Sequence, residues 1–335
     1  YNFSNKSKIN GNILLQEYKL PESIFSELPL QPNLSTISAN FSFQSNANDY
    51  FGKLKIENEL GLNMDGAFKV ETDSTHIKLT ELQLSGNKTT LSLSGLYEES
   101  GRFNGIARLD NLDFSQWLID SKKTGISGYL LLDGIFKDML IASLDINADV
   151  NESLIFNGES TSFSGSVSYA DSVLSIVNPI MLSIGPSIVS VQGKANYNQE
   201  LINLDVSMTE ASAFLINNFW SDSLSNGSAT GSMQINGGFD NLTVDADLLI
   251  NDFNYNNIFL ENFELFAKLD NLQNYNEGEI KIKFTDGTWN EVRFESGNAQ
   301  LYLKDQIITI SSFELRNNDD FFQINGSLNG DSLLL

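Results

Sequence analysis

The sequence has 335 residues, enough for two globular domains or one extended array, and 41% of them are hydrophobic. Its 20 Lys and Arg stand against 43 Asp and Glu, and the net charge of −23 argues against binding to nucleic acid or to anionic lipid headgroups. No cysteine occurs, so the chain has no disulfide framework, no thiolate metal site and no cysteine nucleophile.

Short helices are predicted at three places along a chain in which apolar and polar residues otherwise alternate. The first is Leu20–Leu28, with a proline in its first turn, and the second is Asp113–Ile119, with a capping residue before Trp117. The third is Ala211–Trp220. Such short stretches need tertiary burial to be stable, so we expect their apolar residues to pack on the sheet or its end.

Segments in which apolar and polar residues alternate, as in β-strands, make up most of the remaining sequence. Leu91–Gly95, Val244–Leu248, Ile280–Phe284 and Leu301–Leu303 each place apolar residues on one face and polar residues on the other. Glycine, Asn, Asp and Ser separate these segments and favour tight turns. Asp-Asn-Leu occurs at 110–112, 240–242 and 270–272, and each copy is interpreted as a turn that enters a strand.

A pattern of strands recurs along the chain. The same offset of 103 residues separates Gly128 from Gly231 and Gly134 from Gly237, and the apolar positions between them also match. A fainter copy begins at Ala39. Each copy follows one of the predicted helices, which indicates an elongated repeat architecture with approximate units 1–108, 109–207 and 208–335. Gly128 and Gly231 should occupy equivalent positions at the start of strands.

These segments resemble the periplasmic region of the TamB and AsmA-like proteins of Gram-negative bacteria. The residues that carry the likeness are Leu109–Leu118, the strand from Gly128 to Gly134, and the second copy within 211–250. The resemblance implies an all-β fold: a long, twisted antiparallel sheet, curled like a taco or solenoid into an open apolar groove. It also implies a periplasmic location, in a parent protein that is anchored in the inner membrane and reaches towards the outer one.

The function implied by the resemblance is non-catalytic. The chain would be a bridge segment that handles phospholipids between the two membranes through its groove, or that assists outer-membrane assembly. Its expected partners are phospholipid acyl chains and an outer-membrane assembly protein, with membrane contact through regions outside this fragment. The residues expected to line the groove are Phe41, Phe43, Leu91, Leu93, Leu130, Leu132, Met233, Ile235, Val244, Ala246, Leu248, Ile280, Ile282, Phe284, Leu301 and Leu303.

Catalytic, metal-binding and cofactor-binding motifs are absent from the sequence. The single histidine, His76, has no second histidine to share a metal, and no phosphate loop, nucleophile elbow or dinucleotide fingerprint occurs. We therefore expect no enzyme, no cofactor and no metal. The sequence begins at Tyr1 and ends soon after a strand pattern, and we interpret it as a fragment of a longer chain.

Two other classes of protein stay open at this point. In a surface or secreted β-solenoid adhesin, the same apolar residues would form a closed core and the outer polar faces would bind. In a carbohydrate-active β-sandwich, aromatic and carboxylate side chains would meet in a cleft, but Trp117, Trp220 and Trp289 are far apart in the sequence. An interior that is open along its length would favour lipid handling over the adhesin.

Overall fold

Antiparallel strands account for nearly all of the described chain. A computed structural model describes residues 9–18, 36–46, 48–86, 88–116, 124–137, 140–155, 159–212, 224–255, 257–271, 277–290, 292–304, 307–329 and 332–334. Among these residues the helical structure is one 3-10 turn, Phe114–Gln116. The alternation of apolar and polar residues explains why strands form, because each strand then presents one apolar and one polar face.

Contacts divide the chain into two compact units, Tyr1–Asp171 and Ser172–Leu335. The strands of the first unit are β1 (Asn10–Tyr18), β2 (Ile37–Asn46), β3 (Asp49–Glu57), β4 (Asn63–Thr72), β5 (His76–Gly86), β6 (Thr89–Glu98), β7 (Arg102–Leu112), β8 (Ile126–Lys137), β9 (Leu140–Ile155) and β10 (Glu159–Ala170). Those of the second are β11 (Val173–Ile184), β12 (Ser187–Asn196), β13 (Leu201–Ser212), β14 (Leu224–Gly238), β15 (Asn241–Tyr255), β16 (Ile258–Asp270), β17 (Glu277–Trp289), β18 (Val292–Lys304), β19 (Ile307–Asn317), β20 (Asp320–Asn329) and β21 (Ser332–Leu334).

Within each unit, every strand pairs with the strand that follows it in sequence, and all pairs are antiparallel. In the described part of the first unit, β1 pairs with β2 alone, so the ladder does not close into a barrel there. The predicted fold class, an all-β open antiparallel sheet, is confirmed. The division into the sequence units 1–108, 109–207 and 208–335 stays a prediction.

The segments predicted to alternate are strands, as expected: Leu91–Gly95 lies in β6, Val244–Leu248 in β15, Ile280–Phe284 in β17 and Leu301–Leu303 in β18. The three predicted helices lie mostly outside the described residues. Leu20–Leu28 lies outside the described residues, as do residues 117–119 of the second helix and 213–220 of the third. The prediction is wrong at Ala211 and Ser212, because these residues still pair with β14 as the end of β13.

One copy of Asp-Asn-Leu is not a turn that enters a strand, and the copy at 270–272 lies partly outside the described residues. Asp110 to Leu112 ends β7, where Asn111 takes a positive φ of 53° inside a β-bulge, and Asp270 ends β16. The copy at Asp240 behaves as predicted, since β15 begins at Asn241. Asn tolerates the left-handed conformation in a bulge as well as in a turn, so this motif does not distinguish the two.

Candidate functional site

The apolar residues predicted to line a groove in the first unit do lie on one face. Directly paired residues of an antiparallel sheet share a face, so the register fixes these positions. One row consists of Ile13, Phe41, Leu54, Gly66, Leu84, Leu91, Leu109, Gly128, Val150 and Phe163. The row beside it contains Phe43, Leu93 and Leu130, and Leu132 follows in the next row, opposite Gly105 and Ile146.

The predicted residues of the second unit also share a face. One row joins Met233, Ala246, Ile280 and Leu301 through Ala267. A second row consists of Leu204, Ile235, Val244, Leu269, Gly278, Leu303 and Ile308. A third contains Leu248 and Ile282, and Phe284 follows beside it, opposite Phe263 and Gly297. Each unit therefore has one apolar face that crosses its strands.

Most of these side chains are neither fully buried nor fully exposed. Of the predicted sixteen, Val244 and Phe284 are buried at 7% exposure, and the other fourteen are partly exposed. A closed core would bury nearly all of them. Among the described residues, no second sheet and no regular α-helix covers either apolar face. Leu131 and Leu249, which lie on the opposite, polar faces (hereafter the outward faces), are more exposed, at 38% and 41%.

Each apolar face contains a small cluster of buried side chains. In the first unit, Leu62 and Met64 are almost fully enclosed and pack with Leu54, Leu84 and Ala39. In the second, Phe284 meets Phe294 edge to face at 5.4 Å, and Leu260 completes the cluster. The Phe284 and Phe294 rings lie over Gly297 and Gly287 on neighbouring strands, where a Cβ would overlap them. Glycine thus lets large rings lie flat on this face.

The recurring sequence motif corresponds to a recurring β-bulge. Strands β1, β7 and β13 each carry a register shift, between Leu15 and Tyr18, Leu109 and Leu112, and Met208 and Ala211. The three bulges are six strands apart. Each faces the first residue of one motif copy, because Leu15 pairs with Ala39, Leu109 with Gly128 and Met208 with Gly231.

The backbone inside each bulge is also repeated. Glu17, Asn111 and Glu210 all have φ close to 50°. Each donates its N–H to the hydroxyl that precedes the motif: to Ser38 Oγ at 3.2 Å, Ser127 Oγ at 2.9 Å and Thr230 Oγ1 at 3.2 Å. The predicted equivalence of Gly128 and Gly231 is confirmed, although Gly231 lies in the middle of β14 and not at its start.

The 3-10 turn that follows β7, Phe114–Gln116, is held by hydrogen bonds at both of its ends. Asp113 is buried, and its Oδ1 accepts hydrogen bonds from Ser115 N at 3.1 Å and Thr124 N at 3.0 Å. The Asn58 side chain donates to Gln116 O at 2.6 Å, which joins the turn to the β3–β4 connection. The packing expected of Phe114, Trp117 and Leu118 stays a prediction, because their side chains lie outside the described residues.

The polar face of the second unit carries a feature that the sequence analysis missed. A shallow depression of about 770 Å³ crosses β12 to β17 on this face. Its polar lining includes Gln192, Gln234, Asp245 and Lys268, with the ring of Phe266 among them. The signal was present in the sequence, because Phe266 occupies a polar position of the alternating segment Glu264–Lys268.

Titratable groups on the described part of the chain do not form a metal centre. No group of three or more His, Cys, Asp or Glu side chains there is placed to hold a metal ion. His76 is the first residue of β5, and its Nδ1 is 3.1 Å from Oδ1 of Asp73 in the turn before that strand. No helix among the described residues has the length and apolar composition to cross a membrane.

Comparison with known proteins gives one match. The family model described as "TamB, N-terminal domain" matches residues 8–330, which is nearly the whole chain. Searches of curated proteins and of solved structures found no match.

Proposed function

The chain belongs to the TamB family, and from that premise we propose that its apolar sheet face holds phospholipid acyl chains between the inner and outer membranes. Proteins of this family are periplasmic, are anchored in the inner membrane, and serve lipid transport or outer-membrane assembly, not catalysis. The acyl-chain ligand and the anchor of this particular protein are parts of the proposal, as is contact with an outer-membrane assembly protein.

One observation carries the proposal: each unit has an apolar face that crosses its strands and is only partly buried. Leaving a leucine side chain in water forfeits about 1.5–3 kcal/mol, so a row of partly exposed leucines is costly unless something apolar occupies it. Lipid tails would remove that cost along the whole row. Acyl chains make no hydrogen bonds, so a continuous apolar surface is what they require.

The sixteen residues predicted from the sequence are the proposed contacts of the acyl chains. Leu130 and Leu132 represent the face in the first unit, and Met233 and Ile235 represent it in the second. Their partly exposed side chains favour lipid handling over the alternative adhesin, because an adhesin with a closed core would bury them.

The test compares Leu132→Asp with Leu131→Asp, which are neighbours on opposite faces of β8. An open groove lets water reach the new carboxylate, so Leu132→Asp should keep the fold but lose lipid transfer by at least about tenfold. Leu131→Asp adds the same charge on the outward face and should leave transfer unchanged. Folding is followed by circular dichroism, and transfer by fluorescent phospholipid exchange between vesicles.

Three results would contradict the proposal. Unfolding by Leu132→Asp alone would indicate a closed core, because an unpaired buried charge is strongly destabilising. Equal loss of transfer in both variants would mean that charge, and not the apolar face, decides the outcome. If the wild-type chain transfers no phospholipid, the proposed lipid ligand is wrong.

A further inference from the structure

The depression on the polar face of the second unit is a candidate binding site separate from the apolar face. It crosses six strands, β12 to β17, and its volume of about 770 Å³ lies within the range of ligand sites, roughly 300–1,000 Å³. With neighbouring strands about 4.8 Å apart, the five spacings give it a length of about 24 Å. This shape suits an extended chain that lies across the strands.

An exposed aromatic ring lies within this polar surface. Phe266 is 40% exposed and pairs directly with Asp247 on one side and Lys281 on the other. Both of its sequence neighbours, Leu265 and Ala267, point to the opposite, apolar face. The ring therefore contributes nothing to that face, and it offers a flat apolar surface to whatever enters the depression.

One row of polar side chains in the depression is unpaired, whereas Glu279 and Lys281 at its edge form an ion pair at 3.0 Å. Gln192, Asp205, Gln234, Asp245 and Lys268 are direct cross-strand neighbours in one row. Within the part of the chain that the structure describes, none of these five side chains makes a hydrogen bond or ion pair. Elsewhere on the polar faces charged neighbours do pair, as in Lys69 with Glu71 at 2.6 Å and Arg102 with Asp133 at 3.3 Å. The row in the depression is thus free to bond a ligand.

Charge narrows the class of ligand. Four carboxylates and two ammonium groups line the depression, namely Asp205, Asp245, Asp247, Glu279, Lys268 and Lys281. Their sum of −2 disfavours phosphate, sulfate and acidic sugars. The described carboxylates are not grouped for a metal ion either. The ring of Phe266 beside the amides of Gln192 and Gln234 favours a ligand that is rich in hydroxyl groups and apolar on one face, and the charge favours an uncharged ligand over an anionic one.

We propose that this depression binds an uncharged polysaccharide chain. A sugar ring stacks its C–H face on Phe266, while the amides of Gln192 and Gln234 and the carboxylate of Asp245 bond the hydroxyl groups on either side. The chain lies across β12 to β17, so several sugar residues are held at once. The polar side chains that would bond the sugar are on the face opposite the side chains of the proposed lipid contacts, although Met233 and Ala246 also border the depression, so either proposal can fail without the other.

The experiment measures binding of cellohexaose and chitohexaose to the full chain by isothermal titration calorimetry. At least one of these two uncharged hexasaccharides should bind with a Kd below about 1 mM, whereas a sulfated hexasaccharide should not. Phe266→Ala and the double variant Gln234→Ala/Asp245→Asn should each weaken binding at least about tenfold. Phe51→Ala is the matched control, because Phe51 is 43% exposed on the polar face of the first unit, away from the depression.

The proposal is overturned if neither uncharged hexasaccharide binds at 5 mM, on the order of the weakest specific affinities. It is also overturned if Phe51→Ala weakens binding as much as Phe266→Ala does, or if the sulfated sugar binds as well as the uncharged ones. Phe266 is 40% exposed on the polar face and belongs to neither buried cluster, so its variant should retain the circular dichroism spectrum of the wild type. Should that spectrum change, the double variant alone decides the outcome.

Discussion

At the scale of single residues, glycine and small hydroxyl residues determine how the apolar face is built. Gly128 and Gly231 have φ of 158° and 150° and lie against the backbone of the following strand. In Gly231 an added Cβ would overlap the carbonyl oxygen of Asp247. No flexible side chain can move aside there, so the backbone itself would have to shift.

Gly231→Ala should therefore destabilise the second unit by about 1–3 kcal/mol, the usual cost of a strained backbone position. Ser232→Ala is the control, since Ser232 is the exposed next residue of β14. Urea unfolding followed by circular dichroism gives both midpoints. Equal midpoints for the two variants would show that the position tolerates a side chain.

The turn before β5 provides a prediction about pH. The Thr75 N–H donates to Asp73 Oδ1 at 2.7 Å and holds the pKa of this carboxyl at about 2, below its ordinary 3.8. A pKa that is lower in the folded state gives stability that is fully present above pH 3.8 and is lost as the pH falls through about 2. Protonation removes the charge that the turn's N–H groups stabilise.

A carbon-13 NMR titration of the Asp73 carboxyl should give a midpoint near 2. In parallel, the stability difference between the wild type and Asp73→Asn should be constant above pH 4 and shrink towards pH 2, the window set by these pKa values. A midpoint at the ordinary 3.8 would mean that the turn does not hold the carboxylate in solution.

At the scale of elements, the recurring feature of this chain is the β-bulge that precedes each copy of the sequence motif. Three strands carry the same register shift, the same left-handed residue and the same hydroxyl acceptor. A bulge bends its strand and increases the local twist. Its recurrence every six strands is therefore expected to bend the sheet before each copy of the motif.

Ser127→Ala tests whether the hydroxyl holds the bulge in place, because it removes the acceptor of the Asn111 N–H. The expected cost is about 0.5–1.5 kcal/mol, and amide hydrogen exchange at Asn111 should accelerate. Ser94→Ala, on the outward face of β6, should change neither quantity. Unaltered exchange at Asn111 in the Ser127 variant would show that the hydroxyl does not hold the bulge.

The sequence predicted the strands, the shared apolar face and the repeat, but it did not predict the bulges or the polar depression. Alternation reports directly which face a residue occupies, so Leu130, Leu132, Met233 and Ile235 could be assigned from spacing alone. A bulge depends on hydrogen bonds to the neighbouring strand, which spacing does not encode. For that reason Asp110 to Leu112 was interpreted as a turn and is the end of a strand.

The polar depression was missed for a related reason. Its residues Gln192, Asp205, Gln234, Asp245 and Lys268 come from five different strands and meet only through the register. Each of them alone is an ordinary solvent-facing residue. Phe266 was the one local signal, because an aromatic residue at a polar position of an alternating strand breaks the binary pattern.

At the scale of the whole molecule, each unit is a single antiparallel layer with faces of opposite character. The net charge of −23 opposes self-association of a protein with so much apolar surface. The apolar faces are packed by rings over glycines and by small clusters, and most of their side chains stay partly exposed. The central claim is that these apolar faces, and not the outward ones, contact lipid.

Site-specific photocrosslinking tests that claim most directly. A photoreactive phenylalanine derivative replaces Leu132 or Leu248 on the apolar faces, and Leu131 or Leu249 on the outward faces, in the parent protein within its own cell envelope. The outward pair are matched controls, because both are leucines that are more exposed to solvent than their neighbours. Phospholipid adducts, measured by mass spectrometry, should form at positions 132 and 248 and be absent at 131 and 249. Adducts at all four positions, or at none of them, would contradict the account.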